Sequence, residues 1–117
     1  MRNFREYEIW KNAIELADII YSITDKFPSD QKFGLTNQLQ RSVVSFSANI
    51  AEGASRISEK DFARFLEIAL GSAYETESHL VIAQRRKFIS DEAFNAISQV
   101  LIPLEKQITH LIMKLRH

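Results

Sequence analysis

Apolar residues recur every three or four positions through four successive segments of the chain, which is the spacing of one face of an α-helix. The repeat is strictest near the C-terminus, where it comprises Phe94, Ile97, Leu101, Leu104, Ile108, Leu111 and Leu115. An apolar helix face is stable in water only when it packs against another apolar surface. The pattern therefore predicts an all-α fold of several long helices around a shared core.

Local start and stop signals divide the chain into four helices. The first is expected over residues 7–27, before Pro28, because proline restricts the residue that precedes it. The second is expected over residues 33–54, with Gly53 as its C-terminal stop. The predicted core stripe of the third helix comprises Phe62, Phe65, Leu66, Ala69, Ala73, Thr76, Leu80 and Ala83.

Ser58 and Ser90 are expected to cap the third and fourth helices, because a serine hydroxyl accepts a hydrogen bond from a free N–H of the first turn. The third helix should reach about Lys87. Pro103 should bend the fourth helix without ending it, since the apolar stripe continues beyond it. Short connections make consecutive helices antiparallel. Residues 1–117 are therefore predicted to form one domain, an up-down-up-down four-helix bundle.

Composition narrows the functions that such a bundle can have. Fifteen basic and fifteen acidic side chains give a formal net charge of zero, so the chain lacks a general attraction to phosphate backbones. It has no cysteine, which excludes disulfides and thiolate metal ligands. The charged N-terminus is unlike a signal peptide, and no apolar segment approaches the roughly 18–20 residues of a membrane span. We expect a cytoplasmic protein with no membrane partner.

No group of residues has the spacing of a known catalytic or metal site. Glu75 and His79 lie one helical turn apart and would supply two metal ligands, but no further ligands accompany them. No serine stands in a Gly-x-Ser-x-Gly or Ser-x-x-Lys motif, and the three glycines are isolated. We therefore expect no catalytic residue, cofactor or metal, and an ordinary polar role for His79 at the edge of the core.

The only basic triplet, Arg85-Arg86-Lys87, falls at the predicted C-terminus of the third helix. Cations offset the helix dipole there, which explains the triplet without any ligand. If Lys114 and Arg116 lie at the same end of the bundle, the five residues would instead form a modest phosphate-binding patch for nucleic acid. The sequence leaves both interpretations open.

The third helix also carries apolar residues outside its core stripe. Leu70, Tyr74 and Val81 cluster within about 40° of arc, and Ile68 and Ile82 lie on another flank. Extra apolar surface on a helix is usually buried against something. The cluster therefore favours a surface through which copies of the chain associate.

A polar stripe follows the second helix and comprises Arg41, Ser45, Asn49, Glu52 and Arg56. Charges at helical spacing usually face solvent. The small residues beside this stripe nevertheless favour close packing, so Arg41 and Glu52 are predicted to be partly buried and hydrogen-bonded, at a helix contact or at a subunit seam.

The polar stripe is part of a longer set of polar, small and aromatic residues at distinctive spacing. The set comprises Gln38, Arg41, Ser42, Ser45, Asn49, Ile50, Ala51, Glu52, Gly53, Arg56, Ser58, Phe62, Phe65, Leu66, Ala69, Gly71, Ser72, Glu75, Glu77 and Leu80. It closely resembles the signature of the four-helix bundle proteins named for the 23S rRNA intervening sequence. The N-terminal half agrees as well, and the match weakens only toward the C-terminus.

This resemblance implies a bacterial cytoplasmic bundle of unknown function and without enzymatic activity. Some members are encoded within insertions in 23S ribosomal RNA genes. Similar bundles are accessory proteins of diversity-generating retroelements, where they form a pentameric ring and engage nucleic acid and the reverse transcriptase. Those accessory proteins tend to be basic, whereas this chain is neutral. The turn after the third helix, where relatives often have a glycine, reads Arg86-Lys87-Phe88 here.

Two functions follow from these observations. The first is a self-associating scaffold or adaptor, pentameric by resemblance, with an RNA or protein partner in an RNA-associated assembly. The alternative is a direct RNA-binding module that uses the basic triplet and the polar stripe.

Overall fold

Residues 2–117 are described by a computed structural model that consists of helices joined by short turns. The four long helices are α1 (Glu8–Thr24), α2 (Leu35–Ala54), α3 (Glu59–Arg85) and α4 (Asp91–Leu115). A turn of 3₁₀ helix precedes α1 at Phe4–Glu6, and another precedes α2 at Ser29–Gln31. No strand occurs over this range, which confirms the predicted all-α fold.

Serine caps begin the two longest helices, as the sequence predicts. Ser58 Oγ accepts a hydrogen bond from the N–H of Asp61 at 3.0 Å, and Ser90 Oγ accepts one from the N–H of Ala93 at 3.1 Å. Helix α4 continues through Pro103, also as predicted. Because these caps satisfy free N–H groups of the first turn, they fix where α3 and α4 start.

Consecutive helices are antiparallel, as the contacts between α2 and α3 illustrate. The hydroxyl oxygens of Ser42 and Thr76 are 2.8 Å apart, and those of Ser45 and Ser72 are 3.0 Å apart. Residue numbers therefore rise along α2 while they fall along α3. Helix α1 contacts both α2 and α4, and α3 contacts α4, so the four helices close around one core.

The core follows the predicted stripes closely. Every residue of the predicted α3 core stripe is buried. Ile97, Leu101, Leu104 and Ile108 of α4 are buried, and the other three members of that stripe are partly buried. Helix α1 ends at Thr24, before the expected residue 27. These burials support a four-helix bundle as the architecture of the described chain.

Gly53 does not stop α2, contrary to the prediction, because it lies inside the helix and is buried. A Cβ atom at this position would lie 2.7 Å from the Cβ of Phe65 and 3.1 Å from Cδ1 of Phe62. Glycine is therefore required by the close approach of α3. Helix α2 ends at Ala54, and Ser55 beyond it keeps right-handed backbone angles.

Helix α3, unlike α2, ends at a residue in the left-handed backbone conformation, because Lys87 has a φ of 63°. The N–H of Phe88 donates to the carbonyl oxygen of Ala83 at 2.9 Å, and the N–H of Lys87 donates to that of Gln84 at 3.0 Å. These two bonds define a Schellman motif, whose left-handed position is usually glycine. Lysine at this position carries a steric cost that glycine avoids.

Candidate interaction surfaces

The seam between α2 and α3 is closed by hydroxyl groups that bond to one another. Thr76 Oγ1 lies 2.8 Å from Ser42 Oγ and 2.9 Å from the carbonyl oxygen of Ser72. Ser45 Oγ lies 3.0 Å from Ser72 Oγ, and the amide of Asn49 donates to the carbonyl oxygen of Ser45 at 2.8 Å. These side chains are small enough for two helix backbones to come close, and their hydroxyls are satisfied within the seam.

One part of the polar stripe lies in this seam and the other part faces solvent. Ser45 and Asn49 are half-buried in the seam, whereas Arg41 and Glu52 are exposed. The Glu52 carboxylate lies 3.2 Å from the guanidinium of Arg56, and both side chains remain substantially exposed. The predicted burial of Arg41 and Glu52 at a helix contact is therefore wrong. Their burial at a subunit seam stays a prediction.

A polar groove of about 430 Å³ runs along the outside of the α2/α3 seam. It is lined by Phe33, Asn37, Gln38, Arg41, Ser42, Ser45 and Glu75. Phe33 stands almost fully exposed at its edge. Several residues of the sequence signature are thus brought together on one surface.

His79 lies near this groove but does not form a metal centre with Glu75. Its Nε2 is 3.9 Å from the Glu75 carboxylate, beyond hydrogen-bonding distance, and has no other partner in the described chain. Over residues 2–117, histidine and carboxylate side chains form no group of three or more that could hold a metal ion.

The basic triplet is exposed at the turn between α3 and α4, and none of its side chains forms an ion pair within residues 2–117. The larger patch considered from the sequence also requires Lys114 and Arg116 at this end, and the structure does not bring them there. The guanidinium of Arg116 contacts the carboxylate of Glu67, in the N-terminal half of α3, so the end of α4 lies far from the triplet. The antiparallel topology separates the two basic groups.

Charged residues of both signs share the basic triplet's end of the bundle. The rings of Phe27 and Phe88 are 5.6 Å apart, which places the turn after α1 beside the turn after α3. The charged residues of these turns and the first turn of α4 include Asp25, Lys26, Asp30, Lys32, Asp91 and Glu92. The triplet is thus a local basic cluster within a mixed surface.

The predicted association surface on α3 joins apolar residues of α4. Tyr74 is 55% exposed and Val81 is partly exposed, whereas Leu70 is half-buried and packs against the core. Tyr74 and Val81 line a groove with Ile102 and Met113 of α4, both of which are exposed. We call this feature the α3/α4 groove. Its two connected parts measure about 470 and 510 Å³.

Sequence reasoning missed the α4 side of this groove, although a signal was present. Ile102 and Met113 are separated by about three helical turns and therefore lie on one face. That face lies outside the strict apolar stripe of α4. An extra apolar stripe on each of two neighbouring helices is stronger evidence for a shared surface than a cluster on one helix.

Glu105 lies in the α3/α4 groove and is only 6% exposed. Burial raises the pKa of Glu105 from its ordinary value of 4.5 to about 8, with smaller contributions from hydrogen bonding between its carboxyl and that of Glu77 and from the charge of Glu77. Its Oε2 has no hydrogen-bond partner in the described chain. The sequence does contain a signal for this burial, because Glu105 lies at helical spacing with Leu101, Ile108 and Ile112, all of which are buried. The predicted α4 stripe contains only apolar residues and therefore omits Glu105.

None of the helices described over residues 2–117 combines the length and hydropathy that crossing a membrane requires.

Comparison with known proteins agrees with this architecture. No curated protein shows significant similarity to the chain. A similar solved structure is the crystal structure of a protein of unknown function from the S23 ribosomal protein family of Bacteroides thetaiotaomicron. It has 29% sequence identity and a TM-score of 0.80, and the alignment covers 89% of this chain and 97% of that chain. Residues 5–110 match the family described as 23S rRNA-intervening sequence protein. The chain therefore belongs to the 23S rRNA-intervening sequence protein family.

Proposed function

We propose that this protein is a non-enzymatic helical bundle whose copies associate through the α3/α4 groove, and that the assembly is a scaffold or adaptor in an RNA-associated complex. The observation that carries the proposal is the groove itself. Apolar side chains from both helices remain exposed around the buried carboxyl of Glu105. A second protein surface would remove these apolar groups from water.

The non-enzymatic part of the proposal is supported by the α2/α3 seam. Its hydroxyl groups bond to one another and to backbone oxygens, so they are not aligned with a histidine or a carboxylate base. The RNA-associated part draws on the family, whose description links it to the intervening sequence of 23S rRNA.

Light scattering across a range of protein concentrations tests the proposed association. We expect a molar mass that is a multiple of the 13.5 kDa chain mass, five chains being the number that the family resemblance suggests. A mass that stays at 13.5 kDa over the whole range would contradict the proposal.

The alternative, direct RNA binding, is favoured by the exposed basic triplet. A variant with Arg85, Arg86 and Lys87 all changed to glutamine would then lose affinity for a 23S rRNA fragment while keeping its assembly mass. Three phosphate contacts would give a log–log salt dependence with a slope of about −2 to −3. Unchanged affinity in the variant would exclude the triplet as the binding site.

A further inference from the structure

We propose that Arg41 of one copy enters the α3/α4 groove of the next copy, where Glu77 and Glu105 receive its guanidinium group. This inference rests on the proposed self-association and specifies the two surfaces that meet. One is the exposed face of α2, and the other is the groove between α3 and α4. The occupant of the groove is therefore a second copy of this chain.

The acceptor side of this contact is the pair of carboxyl groups in the groove. Glu105 is nine-tenths buried, its Oε2 has no partner, and Glu77 stands half-buried beside it. A buried carboxyl oxygen without a partner is costly, and a cation with several N–H donors can bond to it and to the neighbouring Glu77 carboxyl together. Lys106 also lines the groove, yet it forms no ion pair with either carboxylate in the described chain.

The donor side is a face of α2 on which Arg41 is exposed and forms no ion pair within residues 2–117. Val44 and Ala48, at helical spacing from it, are exposed as well, so a cation stands among small apolar groups. This composition complements a groove in which carboxyl groups stand among apolar side chains. The unpaired arginines of the basic triplet lie instead at the end of α3, away from the middle of the groove.

The two surfaces lie at the same level along the bundle. Arg41 directly precedes Ser42, whose hydroxyl contacts Thr76, and Thr76 directly precedes Glu77. A copy can therefore place Arg41 opposite Glu77 of its neighbour without sliding along the helix axis. Because the two surfaces differ, the contact is head-to-tail, and such contacts close into a ring when the rotation between successive copies completes a circle.

The pH dependence of association distinguishes this contact from a purely apolar one. The titratable groups that line the groove with Glu105 are Tyr74 and Glu77 of α3 and Lys106 and His110 of α4. Ionised Glu105 binds a guanidinium better, so association should release a proton and tighten as pH rises toward about 8, the pKa of Glu105 in the separate chain. An interface without a cation would bury the carboxyl further and raise its pKa, so association would change little below pH 8 and would weaken above it.

Charge reversal tests the pairing directly. Arg41→Glu and Glu77→Lys should each weaken association by roughly thirtyfold or more, because each leaves a buried charge opposed or unpaired. The double variant should recover most of the loss. Arg85→Glu is the control and should leave association unchanged. Circular dichroism confirms folding, and equal association of all variants would overturn the inference.

Cross-linking provides a second test, because the natural chain contains no cysteine. Val44→Cys and Ser78→Cys place one thiol beside Arg41 and one in the α3/α4 groove. After mixing and oxidation, we expect disulfide-linked dimers only when both variants are present, and none when Val44→Cys is mixed with Glu15→Cys.

The outcomes separate the two proposals. A wild-type chain that is monomeric at every concentration would defeat the proposed self-association and this inference with it. Assembly without mixed cross-links, and with an unaffected Arg41→Glu variant, would overturn only the inference. Cross-linking of either cysteine variant alone would indicate a symmetric interface and would overturn it too.

Discussion

Helix α3 packs against α2 on one side and against α4 on the other, and the two seams differ in how far the chain satisfies its own side chains. At the α2/α3 seam, Gly53 admits the α3 backbone, and serine and threonine hydroxyls bond to one another. At the α3/α4 seam, Glu105 has a buried oxygen without a partner, and Tyr74 and Ile102 are exposed. The seam hydroxyls of α2 and α3 bond within a single chain, although the nearby His79 Nε2 has no partner in the described chain. The α3/α4 seam differs because it leaves apolar side chains exposed around a buried carboxyl, which is the composition of a surface that a further molecule covers.

The largest expected effect concerns the α2/α3 seam. Gly53→Ala should lower the free energy of unfolding by about 1–3 kcal/mol, because its Cβ would lie 2.7 Å from the Cβ of Phe65. Gly71→Ala is the matched control on α3, since a Cβ there meets no atom within 4 Å. It should raise the stability by about 0.5–1 kcal/mol. Urea denaturation measures both, and equal changes would contradict the close packing of α2 against α3.

Glu105→Gln tests the α3/α4 seam and is made in the Arg41→Glu variant, in which we expect association to contribute less to the measured stability. Because the folded-state pKa of Glu105 is raised from 4.5 to about 8, the stability that its protonation provides is complete below pH 4.5 and is lost as pH rises through 8. Glutamine cannot ionise. The substitution should therefore raise the free energy of unfolding at pH 9 by on the order of 1–3 kcal/mol, and change it little at pH 4.

The control for this change is Glu15→Gln, an exposed glutamate of α1. It should alter the stability by less than about 0.5 kcal/mol at either pH. If Glu105→Gln behaved like Glu15→Gln, the carboxyl of Glu105 would be solvated and the contrast between the two seams would disappear.

The smallest effect is expected at the turn that leads from α3 to α4. Lys87→Gly should stabilise the fold by about 0.5–1 kcal/mol, because glycine adopts the left-handed φ of 63° without a Cβ clash. Arg86→Gly is the matched control and should destabilise, since Arg86 has right-handed backbone angles. The unfolding temperatures of the two variants should therefore shift in opposite directions. Shifts of the same sign would contradict the left-handed backbone conformation of Lys87.

The sequence predicted the bundle well because helical spacing determines which residues are buried. The complete α3 core stripe illustrates this, since position along a helix decides burial there. Gly53 was misinterpreted because glycine near a helix end usually marks a stop, and only the packed structure shows that Phe65 occupies the space for a side chain. Glu105 was missed because a carboxylate within an apolar stripe is ordinarily solvated, and its environment depends on Glu77 from another helix.

The candidate surfaces were less accessible to sequence reasoning than the core. Tyr74 and Val81 were identified from α3 alone, but their groove also requires Ile102 of α4, which is a property of tertiary structure. The patch that would join Arg116 to the basic triplet is excluded by topology, because alternating helix directions place the end of α4 beside the start of α3. A sequence pattern predicts which face of one helix is buried. A surface formed by two helices can be identified only from their packing in the structure.

Association through the α3/α4 groove is tested most directly by light scattering, which gives the molar mass of two isoleucine variants. Ile102 in the α3/α4 groove and Ile14 on α1 are both 38% exposed, so a change to glutamate should perturb the fold of the chain to a similar degree. We expect Ile102→Glu to dissociate toward the 13.5 kDa single chain and Ile14→Glu to keep the wild-type assembly mass. Retention of the assembly by Ile102→Glu, or its loss in Ile14→Glu alone, would contradict the claim that copies associate through the α3/α4 groove.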